Sequence, residues 1–185
     1  MVKTASTMLP LGTQAPHFTL PDVITGKMVS LTERDNAKAT VIMFICNHCP
    51  YVKHVNPELT RLANDYMLSG VRFIAINSND IEKYPDDSPD NMRKTALEQG
   101  YPFPYLFDKT QEVAQAYQAA CTPDFFIFNE TLKLVYRGQL DDSRPGNAIE
   151  PNGKSIRDAL DALLADKPVP ENQQPSIGCN IKWKE

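Results

Sequence analysis

Cys46-Asn47-His48-Cys49 carries the most reactive side chains of this sequence. Cysteines at this spacing serve either a dithiol that closes into a disulfide or half of a metal site. The run before them, Thr40 to Cys46, is β-branched and aromatic, the pattern of a strand buried on both faces. After them Val52, Val55, Leu59, Leu62 and Tyr66 recur at spacings of 3, 4, 3 and 4, with Lys53, Glu58, Arg61 and Asp65 on the other side. That is one apolar stripe of a helix. Cys46 is therefore expected at a helix N-terminus, where unpaired N–H groups and about half a positive charge stabilise a thiolate and depress its pKa. Pro50 suits the first helical turn, which needs no N–H there. Cys49 lies one turn further along the same face. Cys46 is the expected nucleophile and Cys49 the thiol that resolves the mixed disulfide. A protonated His48 between them would lower the Cys46 pKa further and make the pair more oxidising.

Other chemistry must be weighed against this. A four-cysteine zinc site would need Cys121 and Cys179, which form no second Cys-x-x-Cys. A soft copper or zinc ion could use Cys46 and Cys49 with His48 or His54. His54 by itself reads as a solvated surface histidine, and His17 has no visible partner. In Cys121-Thr122-Pro123-Asp124, Pro123 is either a strand-opening proline or a cis-proline facing the dithiol. Cys121 reads as a plain buried thiol or an auxiliary redox cysteine. A disulfide between Cys121 and Cys179 is an alternative that spacing does not decide. Asp86-Asp87-Ser88-Pro89-Asp90 reads as a solvated loop capping the next helix.

The elements that must hold these residues follow from periodicity and punctuation. His17 to Leu20 and Met28 to Leu31 alternate around Thr25-Gly26-Lys27, a hairpin ahead of the main fold. Gly70 closes the first helix and Pro57 is expected to kink it. Val71 to Asn77 is a second buried strand, which makes a β-α-β unit with parallel strands. A helix opens at Ser88-Pro89 and ends at Gly100, and a short one follows Thr110 through Val113 and Tyr117. Phe125 to Phe128 and Leu132 to Arg137 form an antiparallel pair. A last helix carries Ile156, Ala159, Leu160, Leu163 and Leu164, and the proline- and glutamine-rich stretch after Asp166 leads to Ile181 and Trp183. The expected architecture is α/β with a mixed central sheet, in one domain over 1–185 with 166–185 as a docking tail.

Composition narrows the function class. At 185 residues the chain suits one core. Its 19 Lys and Arg against 23 Asp and Glu leave a net charge of −4, which argues against nucleic acid or an anionic membrane as the main partner. Four cysteines are too few for a disulfide framework. The longest strongly apolar run, Val41 to Cys46, is far short of the ~20 residues of a membrane helix. Residues 1–10 have no apolar core of signal-peptide length, so the chain reads as cytoplasmic.

Together these features resemble the thioredoxin superfamily. The opening Gly12-Thr13-Gln14-Ala15-Pro16-His17-Phe18-Thr19-Leu20 is similar to the redoxin, or AhpC/TSA, branch. Cys46 to Val52, Cys121 to Asp124, Tyr136-Arg137-Gly138 and Gly178-Cys179-Asn180-Ile181-Lys182-Trp183 are similar to a peroxiredoxin-like group of bacterial thioredoxin-family proteins. The resemblance implies a thioredoxin fold with an N-terminal hairpin extension. It implies Cys46 as nucleophile, Cys49 as resolving thiol, and Pro123 as a cis-proline, with the Thr122 backbone pairing with a substrate chain. His48 matches the histidine of DsbA-type oxidants. The activity implied is thiol–disulfide exchange on protein or small-molecule disulfides, with an unidentified thiol reductant as partner and no cofactor. The alternative is a thiol peroxidase with an antioxidant role. Against it, the peroxiredoxin Pro-x-x-x-Thr-x-x-Cys signature is missing, since Ala39 and Met43 stand in those places. Thr40 stands where thioredoxins place a buried aspartate.

Overall fold

Strand and helix boundaries follow the apolar patterning closely. The computed structural model describes residues 2–32 and 36–185. A short opening strand, β1 (Lys3–Ala5), precedes the hairpin β2 (Phe18–Pro21) and β3 (Met28–Leu31), paired antiparallel with Thr19 opposite Ser30. The continuous apolar run forms β4 (Ala39–Phe44), buried at every residue. Then come α1 (Pro50–Met67) and β5 (Val71–Asn77), parallel to β4. A 3-10 turn over Pro85–Asp87 leads to α2 (Pro89–Gln99), which Ser88 caps through its hydroxyl and Gly100 ends in a left-handed conformation.

The remaining elements are β6 (Tyr105–Phe107), α3 (Glu112–Ala116), β7 (Cys121–Thr122), β8 (Asp124–Asn129), β9 (Leu134–Gly138), α4 (Lys154–Leu164) and β10 (Ile177–Asn180). The central sheet runs β6-β5-β4-β8-β9, parallel on one side of β4 and antiparallel on the other. Alternation along β4 divides the interior. Val41 and Met43 face α1 and α4, while Ile42 and Phe44 face Tyr117, Phe126 and the hairpin residues Phe18 and Leu31. α4 buries Ile156, Ala159 and Leu160, and a large apolar side chain so placed contributes roughly 1.5–3 kcal/mol.

β1, β6, β7 and β10 are too short for periodicity to reveal. Three of them make a second sheet, β1-β10-β7, in which the C-terminal segment is the central strand. Its backbone is fixed along its length: Gln139 N–H donates to the Gln174 carbonyl at 3.0 Å, and Asp80 N–H to that of Lys182 at 2.8 Å. Close approach is written into two glycines. A Cβ on Gly138 would meet the Gln174 oxygen at 2.0 Å, and one on Gly178 would meet the Thr122 oxygen at 2.0 Å. Ile181 is buried as expected, whereas Trp183 stays 41% exposed. No helix among the described residues is long and apolar enough to cross a membrane.

Candidate active site around three cysteines

β4 ends at Phe44 and α1 begins at Pro50, so the Cys46 to Cys49 segment is the loop between them, with Cys49 as the N-cap. This placement moves the acidity. Cys46 was expected to gain from the helix N-terminus, but it lies three residues before the cap. Cys49 is the residue among the free amides, and the Val52 and Cys179 N–H groups hydrogen-bond to it. None of the four cysteines is in a disulfide, and all are buried. Burial, the hydrogen bond shared with Cys49 and the charge of Asp87 push the Cys46 thiol well up. The same shared hydrogen bond, with a second from the Cys179 thiol, pulls Cys49 down to about 5. Cys49 is thus the more acidic thiol of the pair.

Thr122 closes the other side. Its hydroxyl lies 3.2 Å from Cys46 Sγ, and its carbonyl is 3.3 Å from Cys49 Sγ. The Thr122–Pro123 peptide is cis. The resemblance put a substrate strand against the Thr122 backbone. That edge is already filled by the chain itself: β10 pairs antiparallel with β7, Cys179 opposite Thr122 and Asn180 opposite Cys121. Directly paired residues share a face and successive ones alternate. Cys179 therefore joins Thr122 in facing the dithiol, and its Sγ lies 2.7 Å from Cys49 Sγ. Cys121 faces the other way, touches the Pro123 carbonyl at 3.7 Å, and is pushed far up by burial. A Cys121–Cys179 disulfide is excluded in this arrangement.

On the Cys46 side stands a carboxylate that sequence reading assigned to a solvated loop. Asp87 is fully buried. It accepts from Asn47 N–H at 2.7 Å, Asn77 Nδ2 at 3.2 Å and Asn79 Nδ2 at 2.8 Å, and pairs with His48 Nδ1 at 2.6 Å. Burial works against the Asp87 anion, but these donors prevail and its pKa is lowered. The hydrogen bond to Asp87 raises the His48 pKa. The positive charge expected at His48 is thereby matched by Asp87, whose own field acts on Cys46 in the opposite sense. The Tyr84 ring stacks on the imidazole, and Lys182 from the tail lies 5.5 Å over Tyr84.

His54, expected to be solvated, is half-buried, and its Nε2 is enclosed. His17 is exposed and directly precedes β2. Ala39 and Met43, at the peroxiredoxin signature positions, are fully buried in β4 and bring no hydroxyl to Cys46. The hydroxyl beside that sulfur is Thr122's. Ligand atoms of Cys46, His48 and Asp87 all lie within 4.8 Å of one another, a set that could hold a metal.

The AhpC/TSA family matches residues 11–137. The thiol-disulfide oxidoreductase ResA of Halalkalibacterium halodurans is 28% identical over 124 residues, 67% of this chain and 65% of that protein. The chain thus spans just under two thirds of that relative. A conserved protein from Geobacillus kaustophilus, described only as uncharacterized, superposes with a TM-score of 0.97 at 68% identity, over 100% of this chain and 97% of its own. The thioredoxin domain of a thiol-disulfide oxidoreductase from Bacteroides vulgatus gives a TM-score of 0.61 at 19% identity, over 72% of this chain and 91% of that domain. The body built on the five-stranded sheet is a thioredoxin fold.

Proposed function

The chain belongs to the AhpC/TSA family, and from that premise we propose that it is a thiol–disulfide oxidoreductase working through the Cys46–Cys49 dithiol. The observation that carries this reading is the pair of sulfurs at the strand-to-helix junction, both in contact with Thr122, the residue before Pro123. The curated relatives, both named as thiol-disulfide oxidoreductases, support the same chemistry.

The proton between the sulfurs moves from Cys46 to Cys49, which leaves a Cys46 thiolate. This attacks one sulfur of a substrate disulfide and expels the other half as a thiolate, which takes the proton back from Cys49. Cys49 then attacks Cys46 in the mixed disulfide and expels the second thiolate. The substrate gains two electrons and the dithiol loses them as the Cys46–Cys49 bond forms. A thiol reductant completes the cycle, and no cofactor enters it. The test is stoichiometry with a small symmetric aromatic disulfide. Wild type is expected to release two thiols per chain, and C49S one, remaining as a mixed disulfide at Cys46. A C46S chain that releases its first thiol as fast as wild type would remove Cys46 from the attacking role.

A second reading has its own observation, the cluster of Cys46, His48 and Asp87 ligand atoms. A thiolate, an imidazole and a carboxylate suit zinc, and the neighbouring thiols suit copper(I). Titration of the reduced chain with zinc or copper(I) decides it. One tightly bound equivalent that protects Cys46 from alkylation would favour a metal-binding module, and weak binding would favour the oxidoreductase.

A further inference from the structure

The five-stranded sheet does not include the C-terminal strand, yet that strand occupies the Thr122 edge, where a substrate chain would pair, and brings a cysteine to the dithiol. We propose that Cys179 is a third exchange cysteine, presented by β10 as an internal substrate, so that Cys49 has two alternative disulfide partners, Cys46 and Cys179. The inference rests on the dithiol reading above and extends it.

Three independent observations carry it. The first is register: Cys179 stands opposite Thr122, the residue whose hydroxyl and carbonyl contact Cys46 and Cys49. The second is distance, since the Cys179 and Cys49 sulfurs are 2.7 Å apart, about 0.7 Å beyond a disulfide bond. The third is that the tail is built to lie here. Gly178 allows backbone to pass against the Thr122 carbonyl where any Cβ would collide, and Gly138 does the same for Gln174. Ser176 Oγ donates to the Pro123 carbonyl at 2.5 Å, and Lys182 N–H to Asn79 Oδ1 at 2.8 Å.

The step is an isomerisation with no net redox change. In the oxidised chain the Cys179 thiol loses its proton to solvent and its thiolate attacks Cys49. The Cys49–Cys179 bond forms, the Cys46–Cys49 bond breaks, and Cys46 leaves as a thiolate that takes up a proton. One disulfide is present before and after. In the first isomer β10 is held by hydrogen bonds and packing alone. In the second it is covalently fastened over Thr122, and Cys46 is a free thiol. A protein substrate can pair at Thr122 only with β10 displaced, so the second isomer excludes it.

The experiment is disulfide mapping of the full chain equilibrated with glutathione disulfide, quenched in acid, alkylated and cleaved after lysine and arginine. Such cleavage leaves Cys46 and Cys49 on one peptide and Cys179 on another, so the two isomers are an intrapeptide and an interpeptide link. In wild type both are expected, and in C46S a single Cys49–Cys179 link in most chains. G178A, which removes no sulfur, is expected to reduce the interpeptide link at least tenfold. A C46S chain with native circular dichroism that carries only glutathione adducts overturns the proposal. Should C46S fail to fold, an interpeptide link below about 1% of oxidised wild type overturns it equally. Absence of a Cys46–Cys49 link in folded C179S would instead sink the dithiol reading, so the two failures are distinguishable.

Discussion

Cys49 is flanked by two thiols held by opposite means. Cys46 sits in a charged, buried network in which Asp87 accepts from three asparagines and pairs with His48. Cys179 sits on a strand held by backbone pairing to β1 and β7. On the first flank burial and the local field act on acidity, and the charge of Asp87 adds to the rise in the Cys46 pKa. On the second, geometry does the work, since two glycines and a register decide whether the sulfur is present at all. A redox site can thus take one thiol's reactivity from electrostatics and its neighbour's from backbone fit.

The largest effect expected on this comparison comes from removing its centre. C49S should lower turnover of a small disulfide at least about a hundredfold and eliminate both internal disulfides, while C46S and C179S each eliminate one. Steady-state kinetics and disulfide mapping check it, and an internal disulfide surviving in C49S would break the picture of a shared central sulfur.

D87N probes the charged flank, which reaches the tail through Asn79, donor to Asp87 and acceptor from Lys182 N–H. It leaves three asparagine donors and His48 without their anion, and should cost about 2–4 kcal/mol in urea unfolding. Asp87 has a lowered pKa, so its contribution is present above its unfolded value near 3.8 and is lost as pH falls. His48 has a raised pKa, so its contribution is present below 6.5 and is lost as pH rises through the folded value. The difference between wild type and D87N should therefore be greatest between those limits.

Thiolate absorbance of the reduced chain should persist down to pH of about 5. The lowered Cys49 pKa means that its contribution to stability is full above 9.0 and disappears as pH falls through about 5, and C49S should flatten that dependence. The smallest effect is expected at C121A, one residue from Thr122 and on the opposite face. It should leave the thiolate titration and the disulfide map unchanged, with at most about 1 kcal/mol of stability lost for a small buried side chain. A shifted titration there would blur the distinction that strand alternation draws between Cys121 and Cys179.

The body of the fold was legible because its signals are long or punctuated. Ala39–Phe44, the stripe from Val52 to Tyr66, and the Ser88-Pro89 to Gly100 helix each state their period and ends in the sequence. The dithiol was legible for the same reason, being local. What was hidden is non-local. Asp87 reads as one acid among several, and only the chain's return after β5 brings it beneath Asn47 and beside His48. Cys179 is 130 residues from Cys49, and strands of two to four residues carry no periodicity to announce their pairing. The trace that was available lay in Gly138 and Gly178, both read as part of a family resemblance and both explained by the tail's close approach. The apolar run of β4 and the stripe of α1 leave the helix start undefined between Cys46 and Cys49, and it falls after Cys49, three residues beyond the expected position.

The most direct test of the central claim is a glutathione redox titration of the full chain, with trapped thiols identified by mass spectrometry. The account predicts one two-electron transition in which every oxidised chain carries a single internal disulfide containing Cys49, with Cys121 reduced throughout. The midpoint, read against about −270 mV for thioredoxin and −120 mV for a strong oxidant, then gives the direction of exchange. Glutathione adducts on separate cysteines, with no internal disulfide at any ratio, would contradict it.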